Sequence, residues 1–205
     1  MTIKLSDCGK RFNREWIFRH ATLDFFSGKG YAITGANGSG KSTFLQTVGA
    51  LLQPSEGSIT YERGATAVAV EDAYQHTSFC APYLEVIEEM TLIEFLQFHA
   101  AFKPLLNNLT PGDVIGAIGL SASAGKQIRD FSSGMKQRVK LAQSIFSDTG
   151  ALLLDEPCTN LDEAGIALYH SLIQKYCADR IVIVCSNDKV EYSFCTDIIE
   201  MGSLK

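Results

Sequence analysis

The stretch GANGSGKST, residues 35–43, lies between a predicted strand at residues 31–34 and a predicted helix that begins near Lys41. Glycine, four residues, glycine, lysine and serine follow one another in the pattern of a phosphate-binding loop. Three of its residues permit positive φ and a close backbone approach to a ligand: Gly35, Gly38 and Gly40. Lys41 supplies a cation for phosphates, and the Ser42 hydroxyl supplies a ligand for Mg²⁺. The alternative is an ordinary glycine-rich turn that opens a helix.

The composition indicates a folded chain with no broad affinity for polyanions. The 205 residues are 46% hydrophobic, with 18 basic and 23 acidic residues and a net charge of −5. Such a chain can bury a core of its own, as one large domain or a domain with a smaller lobe. We expect no nucleic-acid partner. No apolar run approaches the about 18 residues of a membrane span, and the N-terminus lacks a secretory apolar core, so we expect no direct membrane insertion.

The cysteines and histidines show no pattern of a metal site. The six cysteines lack CxxC spacing, and the four histidines lack metal-ligand spacing. We interpret them as reduced thiols and scattered histidines of a cytosolic protein.

The N-terminal third of the chain predicts β-structure around the loop. Short strands are expected at residues 2–7, 22–26, 31–34, 58–64 and 66–74. A polar turn is expected at residues 9–14. The helix after the loop is predicted to run to about Leu52, because Pro54 and Gly57 follow.

The middle of the chain changes to helical periodicity. From about residue 91 to residue 147, apolar side chains recur at helical spacing, and Thr110 before a proline predicts a helix cap. We predict one domain, residues 1–205, with a helical lobe inserted at roughly residues 84–147.

The last third predicts buried strands alternating with helices. FSSGMKQRVKLAQSIF, residues 131–146, is a small-residue turn that runs into a helix. Further strands are expected at residues 151–157, 181–185 and 197–202, and a helix capped by Asp162 at residues 162–176.

Two carboxylates, Asp155 and Glu156, directly follow the apolar run of the strand at residues 151–157. Two ionised acids there would be costly without a cation or donors. Asp155 is well placed to hold Mg²⁺ through water, and Glu156 could polarise an attacking water. The alternative is a pair of solvated acids at a strand end.

The chain resembles the ATP-binding-cassette (ABC) ATPases over essentially its whole length. The motifs stand in the family's order and approximate spacing: GANGSGKST as Walker A, FSSGMKQR as signature, LLLDEP as Walker B and TNLD as D-loop. The signature is highly specific, because other phosphate-loop families lack it.

The resemblance implies an α/β fold, with a P-loop NTPase core of mostly parallel sheet flanked by helices. An N-terminal antiparallel β subdomain and an inserted helical subdomain complete it. It also implies a head-to-tail homodimer or heterodimer, with two ATPs held between Walker A of one subunit and the signature of the other.

The resemblance also implies roles for individual residues. The cofactors are ATP and Mg²⁺, Asp155 is the Walker B aspartate and Glu156 the catalytic glutamate. Walker A contacts come from Gly35, Ala36, Asn37, Gly38, Ser39, Gly40, Lys41, Ser42 and Thr43, with Ser42 also on the metal. Residues expected to meet the γ-phosphate of the partner subunit's ATP are Ser132, Ser133 and Gly134, and those of the D-loop are Asn160, Leu161 and Asp162. Phe12 matches the adenine-stacking aromatic, with Trp16 or a plain core role for either as alternatives.

Three departures from the family pattern concern groups around the γ-phosphate. Ser133 places a Cβ where the family has glycine. The family's Q-loop glutamine is missing, since Ala81, Pro82 and Tyr83 occupy its neighbourhood. Asn187 stands at the position of the switch histidine. We therefore expect a slow ATPase, with Asn187 in a catalytic position.

Two functions follow as hypotheses. The first is the ATP-hydrolysing subunit of a transporter, attached to the cytoplasmic face of the membrane through separate membrane-spanning subunits. The second is an ATP-gated dimerising clamp or regulatory switch with little hydrolysis. Glu156 favours the first, whereas Asn187 and the missing glutamine favour the second.

Overall fold

The computed structural model describes all 205 residues, which divide into two compact units. The first unit comprises residues 1–79, 149–156 and 179–205, and the second comprises residues 80–148 and 157–178. The predicted helical lobe at roughly residues 84–147 falls inside the second unit. A single domain with an inserted lobe stays a prediction.

The strands in chain order are β1 (Thr2–Phe12), β2 (Glu15–Phe26), β3 (Lys29–Thr34), β4 (Glu56–Arg63), β5 (Thr66–Val68), β6 (Thr77–Cys80), β7 (Ala151–Asp155), β8 (Ile181–Cys185) and β9 (Asp197–Glu200). The α-helices are α1 (Lys41–Val48), α2 (Ala73–His76), α3 (Leu92–Phe102), α4 (Pro111–Ala117), α5 (Ser133–Ile145) and α6 (Glu163–Tyr176). None of these helices combines the length and the apolar character that a membrane crossing requires.

An antiparallel sheet of order β2-β1-β4-β5 forms the N-terminal part of the first unit. Its first hairpin is longer than predicted, because β1 and β2 continue through most of the expected turn at residues 9–14. The pairing of β1 with β2 is irregular in register along this hairpin. Asp7 and His20 adopt positive φ there, and their side chains pair at 2.7 Å. Only Asn13 and Arg14 remain between the two strands.

The second sheet has the order β6-β7-β8-β3-β9, in which β7, β8, β3 and β9 pair in parallel. Its carboxyl ends therefore meet at one edge, where the predicted loop, the two carboxylates and Asn187 emerge from β3, β7 and β8. Phe44, Leu153 and Ile183 are fully buried in the core of this unit. The predicted fold class is confirmed.

Several element boundaries differ from the sequence prediction. α1 ends at Val48 instead of Leu52, because Ala50 adopts φ of 60° and the Leu51 N–H closes onto the Gln46 carbonyl at 2.9 Å. The strand predicted at residues 66–74 ends at Val68, and β6 was not predicted. A four-residue strand carries too little periodicity to be recognised without its neighbours in the sheet.

In the second unit the predicted caps are confirmed. Thr110 forms a capping box with Asp113 at the start of α4, and Asp162 Oδ1 accepts the Gly165 N–H at 2.8 Å at the start of α6. Val139, Leu141 and Ile145 on α5 are buried, as its helical spacing indicates.

Candidate nucleotide-binding site

The loop between β3 and α1 has the backbone that an anion site needs. Gly35, Gly38 and Gly40 adopt φ of 143°, 78° and 106°, which confirms the predicted positive φ. Gly40 is the N-cap residue of α1, and no side chain caps that helix. The N–H groups of its first turn therefore remain available to a ligand, with the positive end of the helix dipole behind them.

Lys41 folds back over this loop. Its side chain is only 6% exposed, and Nζ donates to the carbonyls of Gly35 at 2.6 Å and Ala36 at 3.3 Å. A cation is thus held beside the N–H groups by the carbonyls of the loop itself.

A cavity of about 270 Å³ opens beside Lys41. Its lining residues are Ile17, Asn37, Gly38, Gly40, Lys41, Ser42, Thr43 and Glu156. Glu156 is thereby placed with the phosphate-binding loop, as the motif order predicts. Ile17 was not predicted, since its approach to the loop depends on how β2 packs and no local pattern signals it.

Asp155 and Ser42 form the oxygen-rich side of this region. Asp155 is 3% exposed, and burial raises the pKa of its carboxyl, with the nearby charge of Glu156 adding to the rise. A hydrogen bond with the Ser42 hydroxyl and the charge of Lys41 act in the opposite direction on the same pKa. A carboxylate and a hydroxyl are ligands that Mg²⁺ accepts, and a bound cation would offset the cost of the buried charge.

Asn187 lies against the phosphate-binding loop. Its Oδ1 accepts the Gly35 N–H at 3.2 Å, and its Nδ2 donates to Asn37 Oδ1 at 3.2 Å. The residue at the predicted switch position therefore reaches the loop, where it accepts a hydrogen bond from one of the loop's N–H groups.

A second cavity, of about 330 Å³, lies in the other unit. It is lined by Ser132, Ser133, Gly134, Met135, Arg138, Asn160, Leu161 and Asp162. The structure thus brings the predicted signature and D-loop residues together. Sequence reasoning missed Met135 and Arg138, although helical spacing from the turn could have indicated that they face the same side.

The predicted adenine-stacking aromatics lie outside the cavity beside Lys41. Phe12 is 47% exposed, which excludes a core role, and Lys10 Nζ lies 5.2 Å from its ring centroid. The Trp16 ring is contacted by the guanidinium groups of Arg11 at 5.3 Å and Arg19 at 4.5 Å. Stacking on either ring stays a prediction.

The neighbourhood of the missing glutamine begins where β6 ends. Ala81 follows β6 directly and is fully buried, whereas Pro82 and Tyr83 are exposed. No amide side chain is present at these three positions.

Comparison with known proteins agrees with this geometry. A sequence model described as "ABC transporter" matches residues 18–159. The chain is 30% identical to the uncharacterized ABC transporter ATP-binding protein YybJ of Bacillus subtilis (strain 168), over 98% of this chain and 92% of that protein. It is 27% identical to the ABC transporter ATP-binding protein NatA of the same strain, over 98% of this chain and 86% of that protein.

A solved structure shares the fold. The ATP-binding cassette MJ0796, in a dimeric post-hydrolysis state bound to ADP and Pi, aligns with a TM-score of 0.81 at 21% identity, over 97% of this chain and 93% of that one. The family match includes the loop, the signature turn and both carboxylates. The chain therefore belongs to the ABC transporter family, in which it is an ATP-binding subunit.

Proposed function

We propose that this chain is the ATP-hydrolysing subunit of an ABC transporter, and that MgATP-driven dimerisation and hydrolysis are coupled to transport by separate membrane subunits. The observation that carries the proposal is the cavity that Glu156 shares with Lys41 and Ser42. This cavity combines an anion site with a carboxylate beside it.

ATP phosphates would be held by the N–H groups of residues 35–43 and by Lys41. Lys41 would exchange its contacts to the Gly35 and Ala36 carbonyls for phosphate oxygens. Ser42 and Asp155 would hold Mg²⁺, which when bound neutralises charge on the β- and γ-phosphates.

Glu156 would orient the attacking water. It is exposed, and it has φ of 44°, a conformation that its N–H supports by donating to the Cys185 carbonyl at 2.9 Å. An exposed carboxylate next to a phosphate site can accept a proton from water. Hydrolysis would be slow, because Asn187 offers a neutral amide in place of an imidazole and Ala81 offers no polar side chain.

The cavity in the second unit would receive the γ-phosphate held by a partner subunit. It contains the first N–H groups of α5 and the predicted D-loop residues 160–162. MJ0796 forms a dimer, which supports this arrangement for a homodimer or heterodimer here. We place the assembly at the cytoplasmic face of the membrane, bound peripherally through membrane-spanning subunits.

The second candidate is an ATP-gated clamp with little hydrolysis. The contact of Asn187 with the Gly35 N–H favours it, because a side chain that steadies the loop need not act on water.

The test is Glu156→Gln, with Glu71→Gln on the surface of the first unit as a matched control. Glutamine keeps the hydrogen bonds and loses the basicity, so hydrolysis should stop while ATP still joins two subunits. In MgATP, size-exclusion chromatography should give more dimer for Glu156→Gln than for wild type or the control. Equal amounts of monomer in all three proteins would contradict an ATP-driven dimer, whereas a dimer in all three with no hydrolysis would favour the clamp.

A further inference from the structure

Gln137 is a buried amide on α5, one turn after the signature turn. Its side chain is 3% exposed, and Nε2 donates to the Pro157 carbonyl at 2.7 Å. The same nitrogen lies 4.0 Å from Cys80 Sγ, at the end of β6. One side chain therefore joins α5 to the residue directly after Glu156 and to the residue directly before Ala81.

The hydrogen bond to Pro157 stabilises this region of the fold, because both of its partners are buried and water cannot replace either one. A buried carbonyl that loses its hydrogen-bond donor destabilises the conformation that buries it. Pro157 and Cys158 are buried and lie between Glu156 and the exposed Asn160. The position of Pro157 and Cys158 therefore depends on the hydrogen-bond donor that α5 supplies.

Two neighbours of Gln137 on α5 also face residues 157–162. A Cβ built on Gly134 would lie 3.0 Å from the Asn160 carbonyl, and Arg138 pairs with Asp162 at 3.6 Å. Positions 134, 137 and 138 share one side of a helix. We call residues 157–162 the post-carboxylate segment, and this side of α5 packs along it from end to end.

We infer that Gln137 is a positioning residue, which holds the post-carboxylate segment against α5 and thereby sets where residues 160–162 stand for hydrolysis. Gln137 lines neither cavity described above, so it acts through these residues and does not contact nucleotide. The inference rests on the proposed function for its effect on hydrolysis. Its effect on the segment itself is independent of that function.

The first experiment measures the segment without nucleotide. Amide hydrogen exchange of residues 158–165 is compared in wild type, Gln137→Leu and Gln137→Glu, with Gln143→Leu, six residues further along α5, as the control. The reporters are the Leu161 N–H, which donates to Cys158 at 3.0 Å, and the Gly165 N–H, which donates to Asp162. Gln137→Leu should exchange at least about tenfold faster at Leu161, because the segment has lost its buried anchor. Exchange equal to that of Gln143→Leu would overturn the inference.

The second experiment measures kcat as a function of pH. A variant that is only structurally damaged would lose the same fraction of kcat at every pH. The carboxyl introduced by Gln137→Glu can donate to the Pro157 carbonyl only while it is protonated, and burial at this position raises the pKa of that carboxyl. Relative to wild type at each pH, kcat of Gln137→Glu should be near normal in mild acid and fall at least about tenfold as the pH rises. Gln137→Leu should be low at every pH, with KM for ATP unchanged in both variants.

The outcomes separate the two proposals. If wild type hydrolyses no ATP while the exchange at Leu161 still accelerates in Gln137→Leu, the proposed function fails, but the role of Gln137 in holding the post-carboxylate segment stands. A Gln137→Glu profile parallel to wild type, with normal kcat for Gln137→Leu, would overturn the positioning role while leaving the proposed function intact. If Gln137→Leu does not fold, the reversible pH response of Gln137→Glu decides the matter in the same way.

Discussion

The loop at residues 35–43 and the turn at residues 132–135 both lead small residues into a helix, but they treat the helix N-terminus in opposite ways. The N-cap residue of α1 is Gly40, which has a left-handed conformation, and no side chain caps this helix. The N-cap residue of α5 is Ser132, whose hydroxyl accepts the Met135 N–H at 3.3 Å. The N–H groups of the first turn of α1 thus have no side-chain acceptor, whereas one N–H group of the first turn of α5 already has one.

The two regions also differ in charge and backbone conformation. The loop holds the nearly buried cation of Lys41 and three left-handed glycines, while none of residues 132–135 has positive φ. The one cation lining the turn's cavity, Arg138, is paired with Asp162. An uncapped helix N-terminus beside a cation is stabilised by an anion, whereas one N–H group of a capped terminus is already satisfied. We infer that the loop is a binding site within one chain, and that the turn becomes one only beside nucleotide held by another subunit.

Lys41→Ala should have the largest effect. It removes the only cation lining the cavity beside the loop, so MgATP affinity should fall about 100-fold, the loss expected for a strong charge-assisted hydrogen bond. Calorimetry or a fluorescent ATP analogue would measure it, with the exposed Lys126→Ala as control. Unchanged affinity would contradict the assignment of the loop.

Substituting one glycine in each region tests the comparison directly. Gly40→Ala places a Cβ at φ of 106° and against Ile17 Cγ2, so ATP affinity should fall at least about tenfold and the melting temperature should drop. Gly134→Ala meets only the Asn160 carbonyl at 3.0 Å and should leave ATP affinity unchanged while weakening ATP-driven dimerisation.

Gly125→Ala, with nothing within 4 Å, is the neutral control for both substitutions. An equal loss of ATP affinity for Gly40→Ala and Gly134→Ala would refute the distinction between a one-chain site and a two-chain site.

The smallest effect should come from Asn187. Asn187→Ala should lower kcat by up to about tenfold, the loss in rate expected when one neutral hydrogen bond is removed. Asn187→His should raise kcat if the site has room for the imidazole ring. ATP affinity should barely change in either variant, because the effect belongs to the transition state. The measurement is the steady-state ATPase rate of wild type, Asn187→Ala and Asn187→His at saturating MgATP. Lys41→Ala gives the background rate from contaminating ATPases. Full activity in Asn187→Ala would exclude Asn187 as a γ-phosphate sensor and strengthen the clamp.

The parts of the site that sequence reasoning found are those whose geometry is local. Left-handed glycines, the caps at Thr110 and Asp162 and the run of apolar residues before Asp155 each depend on a few consecutive residues. The parts it missed depend on pairing between distant segments. Ile17 reaches the loop through the packing of β2, and β6 is recognisable as a strand only within its sheet.

The chemistry of each segment can be read from its residues, but the assembly of the site cannot. Asn187 stands 152 residues from Gly35 and reaches it because β3 and β8 run in parallel, with Ile33 beside Cys185 at their carboxyl ends. Gln137 likewise meets Pro157 only through the packing of α5. Backbone conformation follows from neighbouring residues, whereas contacts between distant segments follow from strand pairing and the burial of apolar surface, which involve the whole chain.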